Sequence, residues 1–268
     1  MHKEEPNIGS DLLFRRMLES FSKETYPQGL ESVPSLMDGL SFFPAGRGLY
    51  QPNGSMHTPV FPHEGVMVVG RDFGTRVAYD LAHCEHGERE SDPTWKHLLK
   101  FLEDAGCDPR SCFFSNAFMG LRSGQEARNI GDIPAHRDAN FLAACRDFFV
   151  TQIEMMHPRI LLTLGSAVPA FVAMKLKVDP SWCAGTLKAI DEASASVQKD
   201  VAVPDLGFTI AAVVALTHPC LRPANVRRRS YKKGLLRLRG QDAEEAMLGD
   251  ALAHARFLSM KPENPHAL

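Results

Sequence analysis

Four short apolar runs punctuate the chain. Gly65–Gly70 reads GVMVVG, Cys112–Phe118 reads CFFSNAF, Ile160–Leu164 reads ILLTL and Thr209–Leu216 reads TIAAVVAL. Each is continuous rather than alternating, as expected of parallel strands covered on both faces. Around them, apolar residues recur at the spacing of a helix with one buried face. Leu12, Leu13, Met17, Leu18 and Phe21 predict a helix over 10–25, and Trp95, Leu98, Leu99 and Leu102 one over 93–105. Phe141, Leu142, Cys145, Phe148, Phe149 and Ile153 predict a helix over 138–157, and Ala246, Leu248, Leu252 and Phe257 a last one over 241–259. A shorter helix is expected after Ser166. Strands separated by helices imply βαβ crossovers. The expected class is α/β: a three-layer α/β/α domain around a central four-stranded, mainly parallel sheet. One domain is expected over 1–268, with its core at 65–240. Residues 26–64, rich in Pro, Gly and Ser, read as a long loop region, and 178–208 as an irregular insertion.

Composition narrows the class. The chain has 268 residues, 44% apolar and 23% charged, with a formal net charge of −2. These are globular values that exclude a disordered or collagenous chain. The longest apolar run, Thr209 to Leu216, is far shorter than the roughly 20 residues a bilayer requires, so no membrane partner is expected. The opening MHKEEPNIGSDLL carries acids where a signal peptide is apolar. Six cysteines contain no C-x-x-C pair, which points away from a zinc ribbon or a disulfide framework and towards a reducing, cytoplasmic compartment.

In an open parallel sheet, ligands bind beyond the carboxyl ends of the strands, and the unusual polar residues fall there. The first apolar run leads into Gly70-Arg71-Asp72-Phe73-Gly74-Thr75. The second carries Ser115-Asn116, the third ends in Gly165-Ser166, and the fourth ends in Thr217-His218-Pro219-Cys220. Asp72 and Ser166 could instead be helix caps, Asn116 a turn residue and His218 a surface histidine. After His218 comes a basic run with no intervening acid: Arg227, Arg228, Arg229, Lys232, Lys233, Arg237 and Arg239, with Tyr231 among them. A charge run is often a solvated face, but beside a candidate site it suggests a polyanionic substrate whose phosphates meet Arg and Lys.

The order of these motifs resembles the uracil-DNA glycosylase superfamily over about residues 60–240. Gly70-Arg71-Asp72-Phe73-Gly74 resembles its first motif, a strand end followed by a water-activating acid. Asn116, within FFSNAFMGLRSG, resembles the second-strand segment with the base-reading Asn, and Arg122-Ser123-Gly124 fits the Arg-small-Gly that follows. LLTLGSAV resembles the third-strand segment whose Gly165-Ser166 turn holds a DNA phosphate. His218-Pro219-Cys220 resembles the His-Pro-Ser motif that opens the loop entering DNA. The resemblance implies a glycosylase-like fold, with Gly70, Arg71, Phe73, Gly74 and Asn116 around the base. It departs at Phe73 and Gly74, where the classical motif has Pro and a Tyr that walls off the pyrimidine C5 position, and at Cys220, where it has Ser. The first cysteine is Cys84, so the N-terminal pair of the iron–sulfur branches is absent and no cofactor is implied. Phe73, Tyr79 and Phe43 are candidates for the stacking aromatic.

The residues suit that chemistry. Breaking an N-glycosidic bond builds positive charge on the sugar and negative charge on the leaving base, and fixed groups must meet both. The Asp72 carboxylate can stabilise the sugar cation and orient or deprotonate a water. A neutral His218 can donate a hydrogen bond to a base carbonyl, and the Asn116 amide, both donor and acceptor, can read a pyrimidine edge. The base must leave the stack. Gly165 and Ser166 would pin a phosphate, Leu221 or Arg222 would fill the gap, and the basic run would follow the backbone. The expected function is a monofunctional, monomeric DNA glycosylase that acts on uracil or a 5-modified pyrimidine. Two alternatives are a glycosylase acting on hypermodified phage cytosine in antiviral defence and a non-catalytic DNA-binding module. Two more distant ones are a Rossmann-type nucleotide enzyme and a metal hydrolase using His83, Cys84 and His86. Neither a G-x-G-x-x-G nor a recognised ligand set supports them, and no metal is expected.

Overall fold

A computed structural model describes residues 8–52, 54–55, 59–124, 133 and 137–260. The first helix, α1 (Ile8–Ser20), precedes the short strand β1 (Leu30–Glu31). Then come β2 (Val66–Gly70), α2 (Arg76–Cys84), α3 (Pro93–Asp104), β3 (Cys112–Asn116) and β4 (Leu121–Arg122). The middle of the chain forms α4 (Ala139–Met156), β5 (Ile160–Leu164), α5 (Ala167–Val172), α6 (Leu187–Glu192), β6 (Val197–Val203) and β7 (Phe208–Leu216). Last come α7 (Arg222–Asn225), β8 (Ser230–Lys233), β9 (Leu236–Arg239) and α8 (Gly240–Met260).

The main sheet has the order β3-β2-β5-β7-β6. The four strands expected from the apolar runs are mutually parallel neighbours. Their side chains alternate between two cores. Val66 and Val68 face α3 and α8 through Trp95, Leu98, Met247 and Leu248. Met67 and Val69 face α1 and α4 through Leu13, Met17, Phe148 and Phe149. Both faces are dry, which is why these runs are continuously apolar. The result is a three-layer α/β/α arrangement.

The sheet has a fifth strand, so the expected count of four is corrected. β6 lies antiparallel on β7, inside the segment read as an irregular insertion. Asp200 adopts a left-handed φ of 51° there and interrupts the alternation of VQKDVAV. Helix α1 ends at Ser20, short of the expected 25, and a turn of 3-10 helix follows at Lys23–Thr25. The 26–64 region is largely built into the core: Val33, Met37, Leu40 and Phe43 are buried. Its backbone covers the outer edge of β3, with the Phe43 N–H donating to the Phe114 carbonyl (2.9 Å) and the Phe114 N–H donating to the Gly48 carbonyl (2.7 Å).

Candidate active site

The parallel register brings the candidate residues to one rim. Gly70 stands opposite Asn116, Val69 opposite Thr163, and Leu164 opposite Leu216. Read across the sheet, the strand ends carry Asn116, Arg71-Asp72, Gly165-Ser166 and Thr217-His218 in that order. A Cβ on Gly165 would sit 3.3 Å from the His218 Cβ. The charges of Arg71 and Asp72 both act on the His218 imidazole. Strands lie about 4.8 Å apart, so the β2 and β7 ends are about 10 Å apart.

Asp72 does not cap α2; Thr75 does, accepting from the Ala78 N–H at 3.2 Å. Instead, the Asp72 carboxylate sits between two arginines with its side chain only 4% exposed. Arg71 Nε donates to Oδ2 at 2.8 Å. Arg122 Nη2 lies 3.3 Å from Oδ1, too poorly aligned for a hydrogen bond, so Oδ1 and the Arg122 Nε and Nη2 stay buried without hydrogen-bond partners. Arg122 reaches this place because its N–H donates to the Gly74 carbonyl (2.8 Å), laying β4 beside the segment after β2. The sequence motif around Arg122 carried no hint of this pairing.

Asn116 is 3% exposed, and its Nδ2 donates to the Phe43 carbonyl at 3.2 Å. A Cβ on Gly70 would lie 2.6 Å from the Asn116 Oδ1, so glycine is what lets that amide lie across the strand end. Gly70→Ala is expected to push the Asn116 side chain out of place at a cost of about 1–3 kcal/mol. Urea unfolding checks the stability. Gly74 has a φ of 121°, a conformation that penalises side chains. The absence of a Tyr there therefore has a backbone reason, and Gly74→Tyr would strain the chain. The three stacking candidates are core residues: Phe43 is fully buried, Tyr79 is 2% exposed and Phe73 6%. Phe73 and Tyr79 meet edge to face at 6.3 Å.

His218 starts a tight turn. His97 Nδ1 lies 3.0 Å from the Pro219 carbonyl, and the Leu221 N–H donates to the His218 carbonyl at 3.0 Å. Burial first, and the Arg71 charge second, hold the imidazole below its ordinary range despite Asp72. Cys220 Sγ lies 3.1 Å from His218 Nδ1, and burial pushes the thiol up. When the thiol donates to Nδ1, the proton of the neutral ring sits on Nε2.

A buried ionic network holds the turn from below. The Glu244 carboxylate accepts from the Thr217 N–H at 2.7 Å, pairs with Arg229 at 2.6 Å and pairs with Arg222. Arg229 also binds Asp191 at 2.9 Å and the Ala215 carbonyl at 2.8 Å. Asp191 accepts further from the Ser196 hydroxyl (2.6 Å) and the Ser230 N–H (2.9 Å). Glu244 is a carboxylate in the buried stripe of α8, beside Ala243, Met247, Leu248 and Ala251; that anomaly was the signal available in the sequence.

These contacts divide the expected DNA-binding set. Arg229 is 2% exposed and faces inward, so its expected DNA contact is corrected. Arg222, its side chain 11% exposed, lies over the Phe101 ring at 4.2 Å and does not project as a wedge. Leu221 is 52% exposed, and Arg227, Arg228, Lys232 and Lys233 are exposed. Ser166 is exposed at the start of α5 and makes no capping bond. Among the described residues, no three His, Cys, Asp or Glu side chains are grouped to hold a metal ion, and no helix is long and apolar enough to cross a membrane. All six cysteines are free thiols. No protein-family model matches the sequence, and a search of curated proteins finds no relative of it.

Proposed function

We propose that this chain is a monofunctional DNA glycosylase that hydrolyses the N-glycosidic bond of a flipped-out pyrimidine. The observation that carries the reading is the row Asn116, Asp72, Gly165-Ser166, His218 along four parallel strand ends. It supports the same order of motifs that resembles the uracil-DNA glycosylase superfamily. In this reading the Asn116 Oδ1 and amide read the base edge, and His218 Nε2–H meets the carbonyl where negative charge develops. Asp72 stabilises the sugar cation. Its carboxylate, held between two guanidinium groups, acts through its field and by orienting water. The base is uracil or a 5-modified pyrimidine, and the latter would give a role in defence against phage with modified cytosine. Because Gly74 is dictated by its backbone, the preference must be read from the released base.

The second reading is a DNA-binding module without turnover. It is favoured by the engagement of Asp72 with two arginines. One experiment separates the two. The protein is incubated with oligonucleotides bearing uracil or 5-substituted pyrimidines and with modified phage DNA. Free bases are then identified by mass spectrometry, and abasic sites are counted by alkaline strand cleavage. The glycosylase reading expects a released base and an Asp72→Asn variant reduced on the order of 100-fold or more. No released base from any substrate, or equal release by Asp72→Asn, overturns it.

A further inference from the structure

The end of the basic run folds into a hairpin whose two faces differ. Ser230 pairs with Arg239, Tyr231 with Leu238, Lys232 with Arg237 and Lys233 with Leu236. Tyr231 and Leu238 pack on the core that includes α8. On the same face the Tyr231 hydroxyl donates to Asp250 at 2.9 Å, and Lys233 pairs with Asp250 at 2.8 Å. Because side chains alternate along a strand, Ser230, Lys232, Arg237 and Arg239 share the opposite, solvent face. Lys232, Arg237 and Arg239 are exposed, and among the described residues no carboxylate pairs with any of them. Lys232 and Arg237 stand directly across from each other, an arrangement that is destabilising between like charges. At the tip, Gly234 takes a left-handed φ of 59°, and Leu235 and Leu236 are 103% and 67% exposed. The hairpin is rooted beside the candidate site: Arg229, just before β8, holds the Ala215 carbonyl of the strand that leads to His218.

We propose that the solvent face of the β8–β9 hairpin is a phosphodiester-binding ridge for duplex DNA. The choice of DNA rests on the glycosylase reading; the ridge itself rests on three neighbouring cations that, among the described residues, no carboxylate neutralises, although Arg237 also donates to the Ser230 hydroxyl at 3.4 Å. Arg229 and Lys233 are excluded from the ridge, because their charges are satisfied internally.

The test measures binding of the full chain by fluorescence anisotropy at several salt concentrations. The probes are a short intact duplex and the same duplex with one tetrahydrofuran abasic site. Lys232→Gln/Arg237→Gln/Arg239→Gln is expected to weaken binding on the order of tenfold or more and to flatten the slope of log affinity against log salt by about 2–3. A control triple, Arg15→Gln/Arg110→Gln/Lys188→Gln, is expected to bind as the parent does. The ridge is overturned if the hairpin triple matches the parent in affinity and slope, or if it loses binding only to anionic phosphatidylserine vesicles. A parent that releases base while the triple is unaffected refutes the ridge alone; a parent that binds through the ridge but releases no base refutes the glycosylase reading alone. A parent that binds neither duplex refutes both.

Discussion

Arg229→Ala is expected to lower folding stability by about 3–5 kcal/mol, the cost of removing one partner from a buried ionic cluster. The guanidinium bridges Asp191 and Glu244, at 2.9 and 2.6 Å, in a site where Glu244 is fully buried. Its loss leaves two carboxylates in low dielectric with fewer donors. The neighbouring Arg227→Ala and Arg228→Ala, at exposed positions, are expected to change stability by about 0.5 kcal/mol or less. The Asp191→Asn/Arg229→Met double is expected to recover part of the loss, because Glu244 keeps Arg222 as its counter-charge and no net charge remains buried. Urea unfolding curves with matched m-values measure all of these. An Arg229→Ala protein as stable as Arg227→Ala would show that this guanidinium is not internal.

On the proposed glycosylase reading, His218→Ala is expected to slow base release on the order of 100- to 1,000-fold, the usual effect of deleting one preorganised donor to a developing anion. His218→Gln, which keeps an N–H, is expected to retain more activity than the alanine variant. The parent should hold its rate through neutral pH and lose it on acidification, with a midpoint below the ordinary imidazole value of 6.5. The sign follows from burial: the folded site resists protonation, and a protonated ring would meet Arg71. For the same reason acidification through this range disfavours the folded state, since the unfolded imidazole binds the proton first. Base release measured across pH, with folding followed by circular dichroism, checks both trends. A rate that rises on acidification would refute the neutral-donor role.

The four parallel strands were legible because a strand covered on both faces has no polar positions to confuse with a loop. Their ends were legible for the same reason: Asp72, Asn116 and His218 follow directly on dry runs. Strand β6 was hidden because only one of its faces is covered and Asp200 breaks its period. The β8–β9 hairpin was hidden because a run of Arg and Lys masks alternation: Tyr231 and Leu238 mark the packed face, but the charges between them dominate the reading. The inward turn of Arg229 depends on two acids distant in the chain. Charge runs are read as uniform, while burial selects single members. The pairing of Asp72 with Arg122 depends on where β4 is laid, which spacing alone does not encode.

The 26–64 segment has a further consequence for the molecule in concentrated solution. An open outer strand is a template on which other chains can grow. Here the Phe43 N–H and the Gly48 carbonyl already occupy the hydrogen-bonding groups of Phe114. That border of the sheet offers little purchase for lateral addition of a second molecule, so the chain carries its own protection against fibril-like stacking.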